Sequence, residues 1–338
     1  MAQTEVYNRI FDYPPTDAAG LAIADPEEIE RGAKSREIAA WELLLGSIQL
    51  RRAGQRSPAN DWLNHATRLS VKDDVFNAEL LGEVGQGLFE SDRLQDAYQI
   101  LNSAEAAWRD VCGKAAEACK GANKQAAVEF ASHLLPLFAA AKAKPPASEA
   151  AIRSGTQSVP IVQQWLSQRA VMGRAQTTNA FLRLLAKAGK IDDARSVLEE
   201  ELEWVALNFT SPAKPVAAGA LEKRLMSSAT RRALYLLLLA QGEIELAAGN
   251  FQESADGFGS AAAIYEGQVE NHSDISRLLR AKSNQANSLL RLHRIKEAVD
   301  IYELCRHGFN SIDDSEAAQR VEHAIVLAKS MGADEDES

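Results

Sequence analysis

The chain has 338 residues, 46% of them hydrophobic and 25% charged, with a formal net charge of −10. That composition supplies a core and excludes a chain left unfolded for want of apolar side chains. The acidic balance repels phosphate backbones, so nucleic acid is not an expected partner. The densest apolar run, LYLLLLA at 234–240, is followed by Glu243 and is far shorter than the roughly 20 residues of a membrane span, so no membrane insertion is expected.

No basic start followed by an apolar run opens the chain, which reads as cytoplasmic. Cys112, Cys119 and Cys305 form no paired framework. Cys112 and Cys119 lie two helical turns apart, roughly 10 Å of rise, too far for a disulfide. Asn208-Phe209-Thr210 matches a glycosylation acceptor, but nothing else in the chain suggests secretion.

Residues 1–26 form an arm with Tyr7, Ile10, Phe11 and Tyr13 near its start. These side chains are too apolar to stay solvated, so the arm either caps the first helices or hooks a partner. Pro26-Glu27-Glu28 is a helix start, with proline in the first turn and acids at the positive end of the dipole.

The helices of 27–144 begin with a helical pair at 36–69. Trp41, Leu44, Leu45 and Ile48 make one stripe, Ala53-Gly54 the break, and Ala59, Leu63 and Ala66 the second stripe. A clearer pair spans 76–108, with Leu80, Leu81, Val84 and Leu88 before Ser91-Asp92 and Leu94, Ala97, Leu101 and Ala104 after it. A helix is expected over 121–141, kinked at Pro136. The segment 145–160, with Pro145, Pro146, Gly155 and Pro160, reads as a loop.

Helices resume over 161–331. A third pair at 176–204 turns at Gly189-Lys190, with Phe181, Leu182, Leu184 and Leu185 before it and Ile191, Ala194, Leu198 and Leu202 after it. A second loop is expected at 208–220, with Pro212 and Pro215. The fourth pair, 236–265, has Gly242 mid-helix, Gly249-Asn250 as its turn, then Phe251, Phe258 and Ala261. The fifth, about 278–306, turns at His293-Arg294 between Ala286 and Leu289 on one side and Ile295, Ala298, Tyr302 and Cys305 on the other. A last helix over 314–331, capped by Ser315, has no partner helix in the pattern, and the tail 332–338 is an acidic run expected to be disordered.

The repeated order of small residue, turn, aromatic and small residue resembles the tetratricopeptide repeat (TPR), a helix–turn–helix unit of about 34 residues. Ala59 and Ala97 are 38 apart, whereas Ser254 and Ala298 are 44 apart (97 − 59; 298 − 254). No unit holds every family position: Ser254 replaces an alanine, and Glu245 and Leu88 stand where an aromatic is common. The implied fold is all-α, a solenoid of helical hairpins in a right-handed superhelix with a terminal capping helix. A simpler amphipathic bundle is the other all-α reading.

The resemblance implies an adaptor or scaffold that binds a protein partner or an extended peptide in a concave groove, with no catalysis and no cofactor. A peptide- or ligand-responsive regulatory module is the alternative. No phosphate-binding loop and no HExxH or close Cys/His metal cluster appears, and the six histidines are scattered. Projected from the mid-helix small residue, the groove would be lined by Gln176, Asn179, Arg183 and Lys187, then Leu236, Leu239, Glu243 and Leu246, then Arg280, Asn284, Asn287 and Arg291. Amides pair with both donors and acceptors of an extended backbone, and arginines fork onto carboxylates. Glu79, Glu83 and Gln86 would make the N-terminal end of the groove acidic.

Overall fold

The computed structural model describes residues 25–69, 71–120, 124–141, 148–209 and 226–336, with side chains as far as Met331. Every regular element among these residues is helical, as the patterning predicts. Tyr7, Ile10, Phe11, Tyr13 and most of the expected 208–220 loop lie outside the described residues.

The chain forms two compact units, residues 1–181 with 227–229 and residues 182–226 with 230–338. The first contains α1 (Pro26–Gly32), α2 (Arg36–Arg52), α3 (Arg56–Arg68), α4 (Asp74–Glu90), α5 (Leu94–Cys119), α6 (Lys124–His133), α7 (Leu135–Ala140), α8 (Glu149–Arg153) and α9 (Ser158–Trp165). A π-helical turn, Leu166–Ala170, then leads into α10 (Val171–Lys187), whose residues beyond Phe181 belong to the second unit. That unit continues with α11 (Ile191–Phe209), α12 (Ser228–Ala248, from Thr230), α13 (Phe251–Ala263), α14 (His272–Arg291), α15 (Ile295–Ser311) and α16 (Ser315–Asp336).

All five sequence-predicted turns are present and share one geometry. Gly54, Asp92, Gly189, Gly249 and His293 each adopt positive φ, between 59° and 81°. The amide of the following residue bonds back across the turn: Gln55 to Leu50 O, Arg93 to Leu88 O, Lys190 to Leu185 O, Asn250 to Glu245 O and Arg294 to Leu289 O, at 2.9–3.0 Å. This satisfies carbonyls left open at a helix end and reverses the chain. Five residues after each turn residue comes a small one, Ala59, Ala97, Ala194, Ser254 or Ala298, and all of these are fully buried.

A sixth copy joins α15 to α16. Asp313 has φ 58°, and Asp314 N donates to Phe309 O at 3.0 Å. Ala318 then takes the small-residue place at 6% exposure. So α16 is the second arm of a hairpin rather than a helix without a partner. Its N-cap is Asp314, whose Oδ1 accepts from Ala317 N at 3.1 Å, not Ser315. The helix continues to Asp336, into the stretch expected to be disordered.

Other expectations shift for local reasons. Pro136 does not kink one helix: Leu134 separates α6 from α7, with the proline in the first turn of α7. The segment read as a loop holds α8, capped by Ser148, and the start of α9 at Ser158. In α4 the predicted stripe of Leu80, Leu81, Val84 and Leu88 is only half-buried, whereas Glu79, Gly82, Glu83 and Gly85 are buried. Cores form from aromatic and small residues. Trp41 meets Phe76 edge-on at 5.1 Å, and Trp165 lies between Trp108 and Phe130, with centroids at 6.3 and 5.1 Å.

The hairpins close on minimal side chains. A Cβ on Gly257 of α13 would sit 2.9 Å from Gly242 N and 3.1 Å from Gly242 Cα on α12, and backbone cannot yield cheaply. A Cβ on Gly113, exposed in the middle of α5, would meet nothing within 4 Å. Gly257→Ala is therefore expected to destabilise the chain by about 1–3 kcal/mol. Gly113→Ala should stabilise it by about 0.5–1 kcal/mol through helix propensity. Urea unfolding of the two variants against the parent checks both signs.

Candidate functional site

The second unit carries the most developed polar cavity. Helix α14 is started by Asn271, whose Oδ1 accepts from Asp274 N at 3.0 Å. Within it Arg280, Asn284 and Asn287 recur four and three residues apart and so share a face. They line a cavity of about 320 Å³ whose apolar floor comes from α15 and α16, chiefly Tyr302, Phe309, Val321 and Ala324. Arg320 of α16 adds a second cation to its wall.

The electrostatics leave this cavity able to bind. Arg280 Nη2 is 4.0 Å from Asp314 Oδ2, and its side chain is largely exposed. Arg320 pairs with Glu316 one turn away at 2.6 Å, a surface pair that contributes little. Both guanidiniums can therefore turn to a carboxylate on an incoming chain. The Tyr302 hydroxyl donates to Asn287 Oδ1 at 2.5 Å. Burial pushes that phenol up to about 12, so it stays a donor at neutral pH and holds the amide in one orientation.

The other sequence-predicted residues are not gathered there. Gln176 and Asn179 fall in the first unit. Gln176 lines a small internal cavity, and Asn179 is half-buried. Arg183 is engaged by Glu243 at 2.9 Å. Burial raises that carboxyl, and the Arg183 charge opposes the rise. Leu236 and Leu239 are half-buried, and Leu246 is partly exposed at 37%. Lys187 and Arg291 are exposed at the last turns of α10 and α14. Sequence reasoning missed Arg320 and Tyr302 because α16 was read as a lone helix and α15 was not projected onto the site. The alternation of Ala317, Val321 and Ala324 with Arg320 was the available signal.

The N-terminal acidic face is corrected. Glu79 and Glu83 are 6% and 8% exposed and point inward. Glu79 accepts from Arg169 Nε at 2.5 Å, and Glu83 pairs with Arg51, which also reaches Glu90 at 3.1 Å. The first unit has a larger groove too, about 710 Å³, between α5 and α6. Its cations are neutralised locally, with Lys114 held by Asp110 and Asp74 at 2.6 and 2.7 Å and Lys120 by Glu117. The two histidines read as core residues sit beside carboxylates: His65 Nδ1 lies 2.8 Å from Glu30 and His133 Nδ1 3.1 Å from Asp73. The His133 side chain is 57% exposed, so it is no core residue. Among the described residues no cluster of His, Cys, Asp or Glu could hold a metal ion, and no helix is long and apolar enough to cross a membrane.

Glu245, where the repeat pattern favours an aromatic, has its own use. Arg195 of α11 forks onto it at 2.8 and 2.6 Å, and Asn250 at the turn donates at 2.8 Å. The Arg195 bonds hold its carboxyl below the usual range. A depressed acid contributes stability above its unfolded pKa, and that contribution is lost as pH falls through the folded value. Glu245→Gln is therefore expected to weaken folding at neutral pH and to reduce the loss of stability below about pH 4.3, the ordinary glutamate value, in denaturation followed against pH.

The buried pair gives a second test. Glu79→Ala leaves Arg169 buried beside no carboxylate and should cost about 3–5 kcal/mol. Adding Arg169→Leu should restore part of that loss, since a buried pair replaced by apolar groups is often tolerated. Chemical denaturation of the single and double variants measures the difference. Compared with known proteins, the chain matches no protein-family model and no curated protein.

Proposed function

We propose that this chain is a TPR-type adaptor or scaffold, a helical-hairpin solenoid of the cytoplasm that binds a protein partner and performs no catalysis. Its ligand is an extended, acidic protein segment taken up by the cavity of α14, α15 and α16. The observation that carries this reading is the convergence of Arg280, Arg320, Asn284 and Asn287 over an apolar floor. The arginines suit carboxylates, the amides suit the donors and acceptors of an extended backbone, and Tyr302 and Phe309 underlie the place for one apolar anchor. The six hairpin turns of one geometry support the repeat assignment. A net charge of −10 makes this concentration of arginine locally distinctive.

The test is fluorescence anisotropy with unstructured peptides that carry aspartate and glutamate around one leucine. Arg280→Ala, Asn284→Ala and Asn287→Ala combined should weaken binding about tenfold or more, since each hydrogen bond to a charged group is worth about 1.5–3 kcal/mol. These side chains are exposed or half-buried, so folding should change by only about 0.5 kcal/mol for each. Arg291→Ala, outside the cavity, is the control and should leave affinity intact. Binding should also fall with added salt. A folded triple variant that binds as tightly as the parent overturns the site, and no binding to any acidic peptide overturns the ligand class.

A further inference from the structure

The first unit encloses a second cavity, separate from the peptide site, of about 20 Å³. Its polar walls are Glu79, Glu83 and Gln86 of α4, Trp108 of α5, and Gln176 and Thr177 of α10. Gly82 and Gly173 make the room. The Trp108 ring lies directly against Gly173, and a Cβ on Gly82 would be 2.5 Å from Thr177 Oγ1 and 3.8 Å from Trp108 Nε1.

Two independent observations say what belongs there. Trp108 is fully buried, yet its indole N–H has no hydrogen-bond partner in the protein. A buried donor left unpaired is costly, and such groups are usually met by solvent. The volume exceeds the roughly 10–15 Å³ that one water needs and falls far short of any larger molecule. Charge then selects between a water and a cation. Each carboxylate already has its arginine, Arg169 for Glu79 and Arg51 for Glu83, so the walls are close to neutral and offer no net attraction for an ion. The carboxylate oxygens still have lone pairs to accept further bonds.

We propose that this cavity is the binding site of a single ordered water. It accepts from the Trp108 indole N–H and donates to the oxygens of Glu79 or Glu83, or to the amide oxygen of Gln176. Helices α4, α5 and α10 are thereby joined through solvent at the place where a carboxylate face might have opened outward.

The experiment uses the full chain. In solution, the Trp108 indole proton should show a direct cross-peak to a long-lived water. Trp41 and Trp165 also have buried indole N–H groups without partners, but they line no part of this cavity, so they serve as internal dry controls. Trp108→Phe should delete the peak and assigns it. If that variant does not fold, a high-resolution crystal structure of the parent decides, with one water expected within hydrogen-bond distance of Trp108 Nε1. An indole proton that behaves like those of Trp41 and Trp165, or an electron-density map with no water in the cavity, overturns the proposal.

Discussion

The hairpins depend on one constraint: two helices can reverse direction over a two-residue turn only if almost nothing stands between them just after it. The left-handed residue fixes where the second helix begins, and the fifth residue after it then faces the first helix at its closest approach. Alanine or serine fits there without pushing the axes apart, and Ala59, Ala97, Ala194, Ser254 and Ala298 are each fully buried at that place. Interiors are packed too densely for a larger side chain to be absorbed by slack. With the crossing fixed, the face that each helix turns to its neighbour is fixed as well, because side chains three and four residues apart share a face. Arg280, Asn284 and Asn287 come together as a consequence of the turn at His293 and the small Ala298 beyond it.

The two units use their charged residues in different ways. In the first, Glu79 and Glu83 are buried against Arg169 and Arg51, brought from ninety and thirty-two residues away. Such pairs are weak sources of net stability but cannot be broken from one side without a large loss, so they fix which helices meet. In the second unit, Arg280 and Arg320 remain at the surface, tied only to acids of the same neighbourhood. An exposed arginine over an apolar floor is available to a partner, whereas a buried one is committed to the fold.

This difference also decides how much could be read from sequence. Turns and small residues were legible because they answer local backbone requirements: Gly54, Gly189 and Gly249 need no context, and Asp92 and His293 stand at the same offset from an alanine. The sixth turn, at Asp313, escaped because the residues before it lack a glycine and α16 was taken as solitary. The facing of α4 was misread because a helix buried on several sides shows no single apolar stripe, and the partners that make Glu79 and Glu83 tolerable inside are remote in the chain. In the site, three residues on one helix followed from periodicity alone. Arg320 and Tyr302 did not, since their approach depends on how α15 and α16 fold back, which no spacing within α14 encodes.

Ser254 shows how a departure from the repeat pattern can serve the site. A hydroxyl in place of alanine at a fully buried position is costly unless it is bonded. Its Oγ donates to Gly242 O at 2.9 Å, on the helix it crosses. It also lies 2.8 Å from Ser288 Oγ, which is equally buried on α14. A hydroxyl has one proton, so with Ser254 donating to Gly242 the second bond runs from Ser288 to Ser254. A pair of alanines would fill the same space but would let α14 slide along its neighbours, because apolar contacts are not directional. The Tyr235 hydroxyl, whose pKa burial lifts to about 12, adds a second tie from α12 to Arg277 O at 3.2 Å. Two directional bonds along α14 therefore set its axial position, and with it the height at which Arg280, Asn284 and Asn287 meet an incoming chain.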